Sequence, residues 1–417
     1  MKDNYICSLD LGSSKLAGII LCFRDKKHIK DIFFESLFTR CIEGSKIKDI
    51  SALVVFLEQL LDSLKKKSNQ KIRNVYLNIS CEDLIMRHNF AIIPFAEKGN
   101  KLITLSDVRK VKEQALALGS CWEEEVIGSI PVNYTVDDKD GFINPVGLYA
   151  HKLGVDLLTF SITSAYFENL NHIINKLGYT LRHIFISGMG ILEYIINKEE
   201  LSQGIYMLLD IGAKLTDIIV YKDKFIKHIG YLAFGGDRLT ESIGKELDIS
   251  LDLAEELKIN YATILEEGLG NKDVMIKQND YYRSIPRSRL SYALNREVAN
   301  FITSLQNYLH NYIGKEKIEK IFVCGRSALL EGLLEKMELE LNTPVRMITY
   351  SDFSFLNDFP LNNIFSISQL LNYANCLKVF YEVEQLYKEI NSSSIISPHG
   401  LSKRIINWFV ELYQEYF

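Results

Sequence analysis

The chain has 417 residues, 47% of them apolar and 24% charged, with a formal net charge of −5 and a pI near 6.0. This balance excludes a largely disordered chain, and the absence of a basic excess gives no sign of a nucleic-acid partner. The length suggests roughly two to four domains. The seven cysteines (Cys7, Cys22, Cys41, Cys81, Cys121, Cys324 and Cys376) include no C-x-x-C pair, so they read as scattered buried thiols in a reducing compartment. The N-terminus has no signal-peptide pattern, and the apolar run from Leu16 to Phe23 is far shorter than a membrane span. A cytoplasmic, soluble chain is therefore expected.

Tyr5 to Leu11 reads as a buried strand ending in Asp10-Leu-Gly12. Leu16 to Phe23 and Asp31 to Phe38 read as two more strands. Ile50 to Leu64 has helical apolar spacing and ends in Lys65, Lys66 and Lys67, cations that suit a helix C-terminus. Val75 to Ile79 is another strand, completing an α/β start. Residues 81–163 read as an inserted unit. It contains a helix from Ser106 to Leu118 with Ser106 as N-cap, a turn cluster at Asp137 to Gly141, and a strand from Asp156 to Thr163. Glu123 to Glu125 reads as a surface turn. A helix from Tyr166 to Leu177 stops at Gly178.

The opening pattern then returns. Ile205 to Leu209 leads into Asp210-Ile-Gly212, followed by strands from Thr216 to Tyr221 and Phe225 to Phe234. Asp10-Leu-Gly-Ser-Ser-Lys15 and Asp210-Ile-Gly-Ala-Lys-Leu215 form an internal repeat, which suggests two similar lobes. Residues 237–316 read as mostly helical. Lys320 to Cys324 is a strand entering Gly325, followed by a helix from Ala328 to Leu341. A long helix spans Gln369 to Ile390, a polar linker occupies 391–400, and a last helix covers 401–417.

The hairpin tips carry the chemistry. Gly12 lets backbone approach a ligand closely, and Ser13, Ser14 and Lys15 supply two hydroxyls and a cation. Asp10 has the chemistry for Mg²⁺, which binds through one or two carboxylates. One such hairpin alone is equally readable as an ordinary tight turn. Gly235-Gly236 opens a helix, whose N-terminus favours anions. Gly325 forms a strand–turn–helix junction where an adenine could lie against backbone.

The last helix places Leu401, Ile405, Trp408, Phe409, Leu412 and Tyr416 on one face and Lys403, Asn407, Glu411 and Gln414 opposite. A tethered helix of this kind suits an interfacial membrane anchor. The alternatives are a helix docked on the body or one that fills a partner's groove.

Taken in order, the two hairpins, the Gly-Gly helix start, Ala254 to Lys258 and the strand–glycine turn resemble the superfamily of actin, heat-shock chaperones and sugar kinases. Within it the chain is similar to the FtsA family of bacterial cell-division proteins. Supporting segments are Ser106 to Val111, Pro131 to Pro145 with Asn144 to Gly147, Thr240, Ala254 to Tyr261 and Pro344 to Arg346. The resemblance implies an α/β actin-like ATPase fold: two ribonuclease-H-like lobes around a nucleotide cleft, an inserted subdomain peculiar to the family, and a C-terminal amphipathic helix. The first lobe would be 1–80 with 164–195 and 366–390. The inserted subdomain would be 81–163, the second lobe 196–237 with 317–365, and the helical cap 238–316.

ATP with Mg²⁺ would sit between the lobes. Gly12, Ser13, Ser14, Lys15, Gly212 and Lys214 would hold phosphates, with Asp10 and Asp210 flanking the metal. Gly236, Lys258 and Gly325 would border ribose and adenine, with Gly235 and Arg326 also among the nucleotide-binding residues. The cap, with Arg287, Arg289 and Arg296, would bind the C-terminal tail of the tubulin-like protein FtsZ. The terminal helix would bind lipid through Ile405, Trp408, Phe409, Leu412 and Tyr416, on the inner face of the cell membrane at the division site. Self-association into filaments is also implied.

Three sites depart from the family pattern. Ala213, Lys214 and Leu215 replace two glycines and a hydroxyl in the second hairpin. Arg326 replaces the second glycine of the adenine turn. Ser187 stands where an acidic, water-orienting residue is usual. A weak or absent hydrolase is therefore expected, with Lys214 neutralising phosphate. A small-molecule kinase and a pilus-assembly actin homologue are the competing functions.

Overall fold

The computed structural model describes residues 4–23, 29–95, 100–199, 201, 203–223, 225–265, 273–278 and 281–348. Strands β1 (Asn4–Leu11), β2 (Lys15–Phe23) and β3 (Ile29–Phe38) form an antiparallel meander. A short hairpin follows, β4 (Ile42–Glu43) and β5 (Lys46–Ile47). Helix α1 (Ile50–Ser68) starts where the Asp49 carboxylate accepts the N–H of Ala52 at 2.9 Å, and it ends at Asn69 in the left-handed conformation. Its stripe Leu53, Leu57, Leu60, Leu61 and Leu64 is buried against β2 and β3. Strand β6 (Asn74–Ile79) then pairs parallel with β1.

The insertion contributes β7 (Ile85–Pro94), β8 (Lys101–Leu102), α2 (Leu105–Gly119), β9 (Glu124–Val136), β10 (Lys139–Phe142), β11 (Tyr149–Ala150) and β12 (Lys152–Thr163). Four of these strands form an antiparallel sheet, in the order β10-β9-β12-β7, with α2 across β7 and β12. The turn at Asp137 joins β9 to β10, with Asp137 at φ 55°. Sequence reading found only the end of β12 in this sheet. It also placed the α2 cap at Ser106, whereas the cap is Thr104, which forms a capping box with Asp107. Glu124 and Glu125 lie in β9, not in a turn, and the Glu124 carboxylate is paired with Arg87.

Helix α3 (Ser164–Lys176), strand β13 (Thr180–Ile186) and helix α4 (Met189–Lys198) complete the first half, with β13 parallel to β6. The second half opens with β14 (Ile205–Ile211), β15 (Thr216–Lys222) and β16 (Phe225–Leu232). Then come α5 (Gly236–Leu247), α6 (Leu251–Tyr261), a hairpin of β17 (Asp273–Gln278) and β18 (Tyr281–Pro286), and α7 (Arg287–Tyr312). The hairpin is a strand element inside a segment that reads as helical. Strand β19 (Ile318–Cys324) precedes a 3-10 turn at Arg326–Leu329, α8 (Leu333–Leu341) and β20 (Val345–Met347). The helix expected from Ala328 to Leu341 is thus divided, because Gly332 sits at φ 89°.

The two main sheets share one plan. The first runs β13-β6-β1-β2-β3 and the second β20-β19-β14-β15-β16. In each, a three-strand meander pairs its first strand in parallel with a later one. The registers also agree: Leu11 faces Leu16, and Ile211 faces Thr216, so the two hairpin loops have the same length.

The largest core covers the first sheet, α1, α3 and α4, and continues onto Tyr206, Leu208, Ile219, Tyr221 and Phe322 of the second sheet. Intervening residues of the same strands (Met207, Leu209, Ile218, Val220, Ile321 and Val323) point the other way, into a second core made with α5, α6 and α7. A strand buried on both faces reads as a continuous apolar run, which is why Ile205 to Leu209 is legible. The insertion has a third, smaller core around Val111, Ala115, Leu153, Val155 and Leu157. The expected helix from Gln369 to Ile390, the linker and the last helix, with Ile405, Trp408, Phe409, Leu412 and Tyr416, lie outside the described residues.

Candidate functional site

The two hairpin loops face each other between the lobes, and each is bolted to its own lobe. In the first, Ser14 O accepts the N–H of Thr39 at 3.1 Å, and Ser13 Oγ accepts the N–H of Gly44 at 3.0 Å. A Cβ on Gly12 would meet Lys15 O at 2.8 Å, so a side chain there would crowd the tip. In the second, Gly212 O accepts the N–H of Gly236 at 3.0 Å and the Ser327 hydroxyl at 2.9 Å, while Ala213 O accepts the N–H of Asp237 at 2.8 Å. The first N–H groups of α5 are therefore spent on the hairpin. Gly235 is required because a Cβ would sit 2.3 Å from Ala213 O. Among the described residues, the non-glycine positions at positive φ include none of Ala213, Lys214 and Leu215. Replacing glycine there brings no backbone strain.

Gly325 lies at φ 94° and ψ 154°, and a Cβ on it would meet Ile211 O at 2.2 Å. The glycine lets the 3-10 turn press against the base of the second hairpin. Lys258 is held close by: its ammonium donates to Gly236 O (2.9 Å), Thr240 Oγ1 (2.7 Å) and Glu255 Oε2 (2.6 Å). Burial raises the Glu255 pKa, but hydrogen bonds from Lys258 and Thr240 outweigh it and hold the group below its ordinary value.

Three carboxylates occupy the floor. Burial, then the charge of Asp210, pushes Asp10 up to about 7, against the pull of Lys15. Burial pushes Asp210 up to about 6, opposed by the Cys324 thiol and Lys15. Burial and Asp210 likewise push Asp217 up to about 7. A hard cation would relieve like charges crowded in a poorly solvated site, although among the described residues no three His, Cys, Asp or Glu side chains are grouped to hold a metal ion. Asp217 crosses the floor: its Oδ1 accepts the Ser80 hydroxyl at 2.9 Å and the N–H of Cys81 at 3.2 Å. At the mouth, Lys214 Nζ lies 2.6 Å from Glu43 Oε1, and the Arg326 guanidinium stands 5.8 Å from the Phe38 ring centroid. Lys214 is thus engaged by a carboxylate of the opposite lobe, a pairing with no local signal in the sequence.

Two family models match the chain: "Cell division protein FtsA" over residues 207–363 and "SHS2 domain inserted in FTSA" over residues 84–161, together more than half of it. The chain belongs to the FtsA family. Curated FtsA relatives include those of Buchnera aphidicola from Acyrthosiphon pisum, 23% identical with 97% of each chain covered, and of Neisseria meningitidis serogroup B, 23% identical over 90% of this chain and 91% of that one. The Escherichia coli K12 protein is 22% identical, over 88% of this chain and 90% of its own. Among solved structures, a PilM–PilN type IV pilus biogenesis complex aligns with a TM-score of 0.63 and 14% identity, covering 90% of this chain and 98% of that one. MreB5 of Spiroplasma citri bound to AMPPNP aligns at 0.53 and 14%, covering 94% and 99%. The fold is that of the actin-like ATPases, with the FtsA-type insertion.

The arginines expected at a partner site each make an intramolecular hydrogen bond, while the Arg289 and Arg296 side chains stay nearly half exposed. Arg289 Nη2 donates to Glu246 O at the C-terminal end of α5 (2.5 Å), and Arg283 Nη1 donates to Leu247 O (3.0 Å). Arg287 Nη2 reaches Tyr261 O at 3.2 Å, and Arg296 Nη2 lies 3.4 Å from Ser242 Oγ. Cations at a helix C-terminus satisfy its last carbonyls. Ser187 follows β13, is buried, and donates its N–H to Ile79 O at 2.9 Å.

Sequence reading missed Glu43, Asp217, Glu255 and Ser327. The i,i+3 spacing of Glu255 and Lys258 and the position of Asp217 within the repeat were usable signals. Glu43 and Ser327 come into place only through tertiary folding. All six cysteines among the described residues are free thiols. No helix among the described residues is long and apolar enough to cross a membrane.

Proposed function

We propose that this FtsA-family chain is an ATP-binding adaptor that links FtsZ filaments to the inner face of the cell membrane and self-associates into filaments. The observation that carries the reading is the pair of matched hairpins, equal in loop length and facing each other over Asp10 and Asp210. Gly12, Ser13, Ser14, Lys15, Gly212 and Lys214 would hold the phosphates. Asp10 and Asp210 would hold Mg²⁺, which supplies charge neutralisation for the phosphates. Gly235, Gly236, Lys258, Gly325 and Arg326 would border ribose and base. The cap, around Arg287, Arg289 and Arg296, would receive the FtsZ tail, and the terminal helix would enter lipid through Ile405, Trp408, Phe409, Leu412 and Tyr416.

Hydrolysis is expected to be slow or absent. Ser187 carries a hydroxyl, which cannot orient an attacking water as a carboxylate does. Phosphate release that persists in steady state and disappears in Asp210→Ala would overturn this expectation. The adaptor itself is tested by co-sedimentation with anionic liposomes, with and without ATP and FtsZ, comparing the full chain with one truncated before Leu401. Full-length protein should pellet with vesicles and carry FtsZ with it. Truncated protein that pellets equally well would overturn the anchor. A small-molecule kinase would instead transfer phosphate in a substrate screen. The likeness to a pilus protein, at 14% identity, shows the fold alone.

A further inference from the structure

We propose that Glu43 is a built-in competitor for the phosphates, an anionic latch that holds Lys214 across the cleft mouth until a polyphosphate displaces it. The inference rests on the nucleotide reading and adds to it a device read from this chain's own residues. Lys214 occupies the position in the second hairpin that Ser14 occupies in the first, by the shared register of the two ladders. Its ammonium does not turn into its own loop; it reaches the opposite lobe, 2.6 Å from Glu43 Oε1.

Glu43 is firmly placed. It ends β4, in a hairpin whose Gly44 N–H donates to Ser13 Oγ at 3.0 Å, so the carboxylate rides on the first phosphate hairpin. The next residue, Ser45, donates its N–H to Glu82 at 2.6 Å. Lys48 Nζ lies 2.5 Å from the second oxygen, Glu43 Oε2, and keeps the carboxylate paired when Lys214 leaves. The two hairpins are thereby tied by one ion pair at the place where phosphates would enter.

A carboxylate and a phosphate compete for the same cation, and the phosphate brings more charge and more acceptor oxygens. Nucleotide entry would transfer Lys214 from Glu43 to phosphate and release the β4–β5 hairpin from the second lobe. The pair is partly exposed, with side-chain accessibilities of 35% and 43%, so its hold is modest. Removing the competitor should strengthen polyphosphate binding by about two- to fivefold, the range expected of an exposed ion pair.

The test is calorimetric titration of the full chain with ATP, ADP and AMP in the presence of Mg²⁺, for wild type, Glu43→Gln, Lys214→Ala and the double variant. Glu43→Gln should bind ATP and ADP tighter than wild type and leave AMP unchanged. Lys214→Ala should bind ATP more weakly, and adding Glu43→Gln to it should restore nothing. An unchanged ATP affinity in Glu43→Gln overturns the latch with the nucleotide site intact. Equal tightening in the presence and absence of Lys214 also overturns it, because the effect would then be general charge removal. Failure of wild type and Glu43→Gln alike to bind ATP overturns the nucleotide reading, and the competition falls with it.

Discussion

At the scale of single residues, the cleft is shaped by close backbone approach more than by charge. Gly325 holds φ 94° and ψ 154°, a combination reserved almost wholly for glycine, with Ile211 O directly against its missing side chain. Gly325→Ala should lose about 1–3 kcal/mol from backbone strain alone, read as a lower urea midpoint, and should weaken ATP binding because the 3-10 turn moves off the second hairpin. Asp217 sets a second contrast. Asp217→Ala leaves the Ser80 hydroxyl and the Cys81 N–H without their acceptor, a loss of about 1–3 kcal/mol, whereas Asp217→Asn keeps an acceptor oxygen and should lose much less. Equal losses in the two variants would mean that the charge of Asp217, not its acceptor, supports the floor. The glycines and Asp10 were legible in the sequence because hairpin chemistry is local. Glu43 was not, because its meeting with Lys214 bridges 171 positions and depends on how the lobes close.

At the scale of elements, legibility followed how strongly burial matches hydropathy. Strand β14 is apolar at every position but Asp210 and β1 at five of its eight, and both were readable to within two residues of their ends. Strand β7 runs the other way: Asn89 and Ala91 are buried while Phe90 and Ile92 are exposed, so its period-two signal cancels. Strand β9 carries Gly128 and Pro131 and two register shifts opposite β12, which break its alternation. Helix α2 is legible, but Ser106 offers a competing cap signal beside the Thr104-x-x-Asp107 box that forms the actual cap. Thr104→Ala should lose about 1 kcal/mol.

The partner of that box also sets a pH response. Burial raises the Asp107 pKa, but hydrogen bonds from Lys101 and from Thr104 outweigh it and hold the carboxylate below its ordinary value of 3.8. A carboxyl whose folded pKa is depressed stabilises the fold above its unfolded pKa. That contribution is lost as pH falls through the folded value. Hydrogen exchange in α2 should therefore quicken as pH drops below about 4, after correction for intrinsic exchange. Asp107→Asn should flatten the response. A variant whose acid sensitivity matches wild type would place the effect elsewhere.

At the scale of the whole molecule, the three cores define what unfolds together. One core joins the first sheet to a face of the second, so the lobes share apolar surface as well as the cleft. The insertion is only partly independent of this unit. The far part of its sheet packs in its own small core with Leu153, while the near ends of β9 and β12 send Ile127, Leu158, Phe160 and Ile162 into the core of the lobes. Two truncations of buried side chains on one strand should therefore behave differently. Leu153→Ala should lose about 2–5 kcal/mol and Phe160→Ala about 3–5 kcal/mol, similar in size because both side chains are fully enclosed. The difference lies in what opens. Leu153→Ala should raise hydrogen exchange in α2 and the strands of the insertion and leave β1, β14 and the cleft protected, since low-stability segments open as local units. Phe160→Ala should lower protection in the lobe core as well and weaken nucleotide binding, because the sheet that carries Asp10 loses packing. If both variants opened the whole chain together, the insertion would be an inseparable part of one cooperative fold. If Phe160→Ala opened the insertion alone, β12 would not couple it to the cleft.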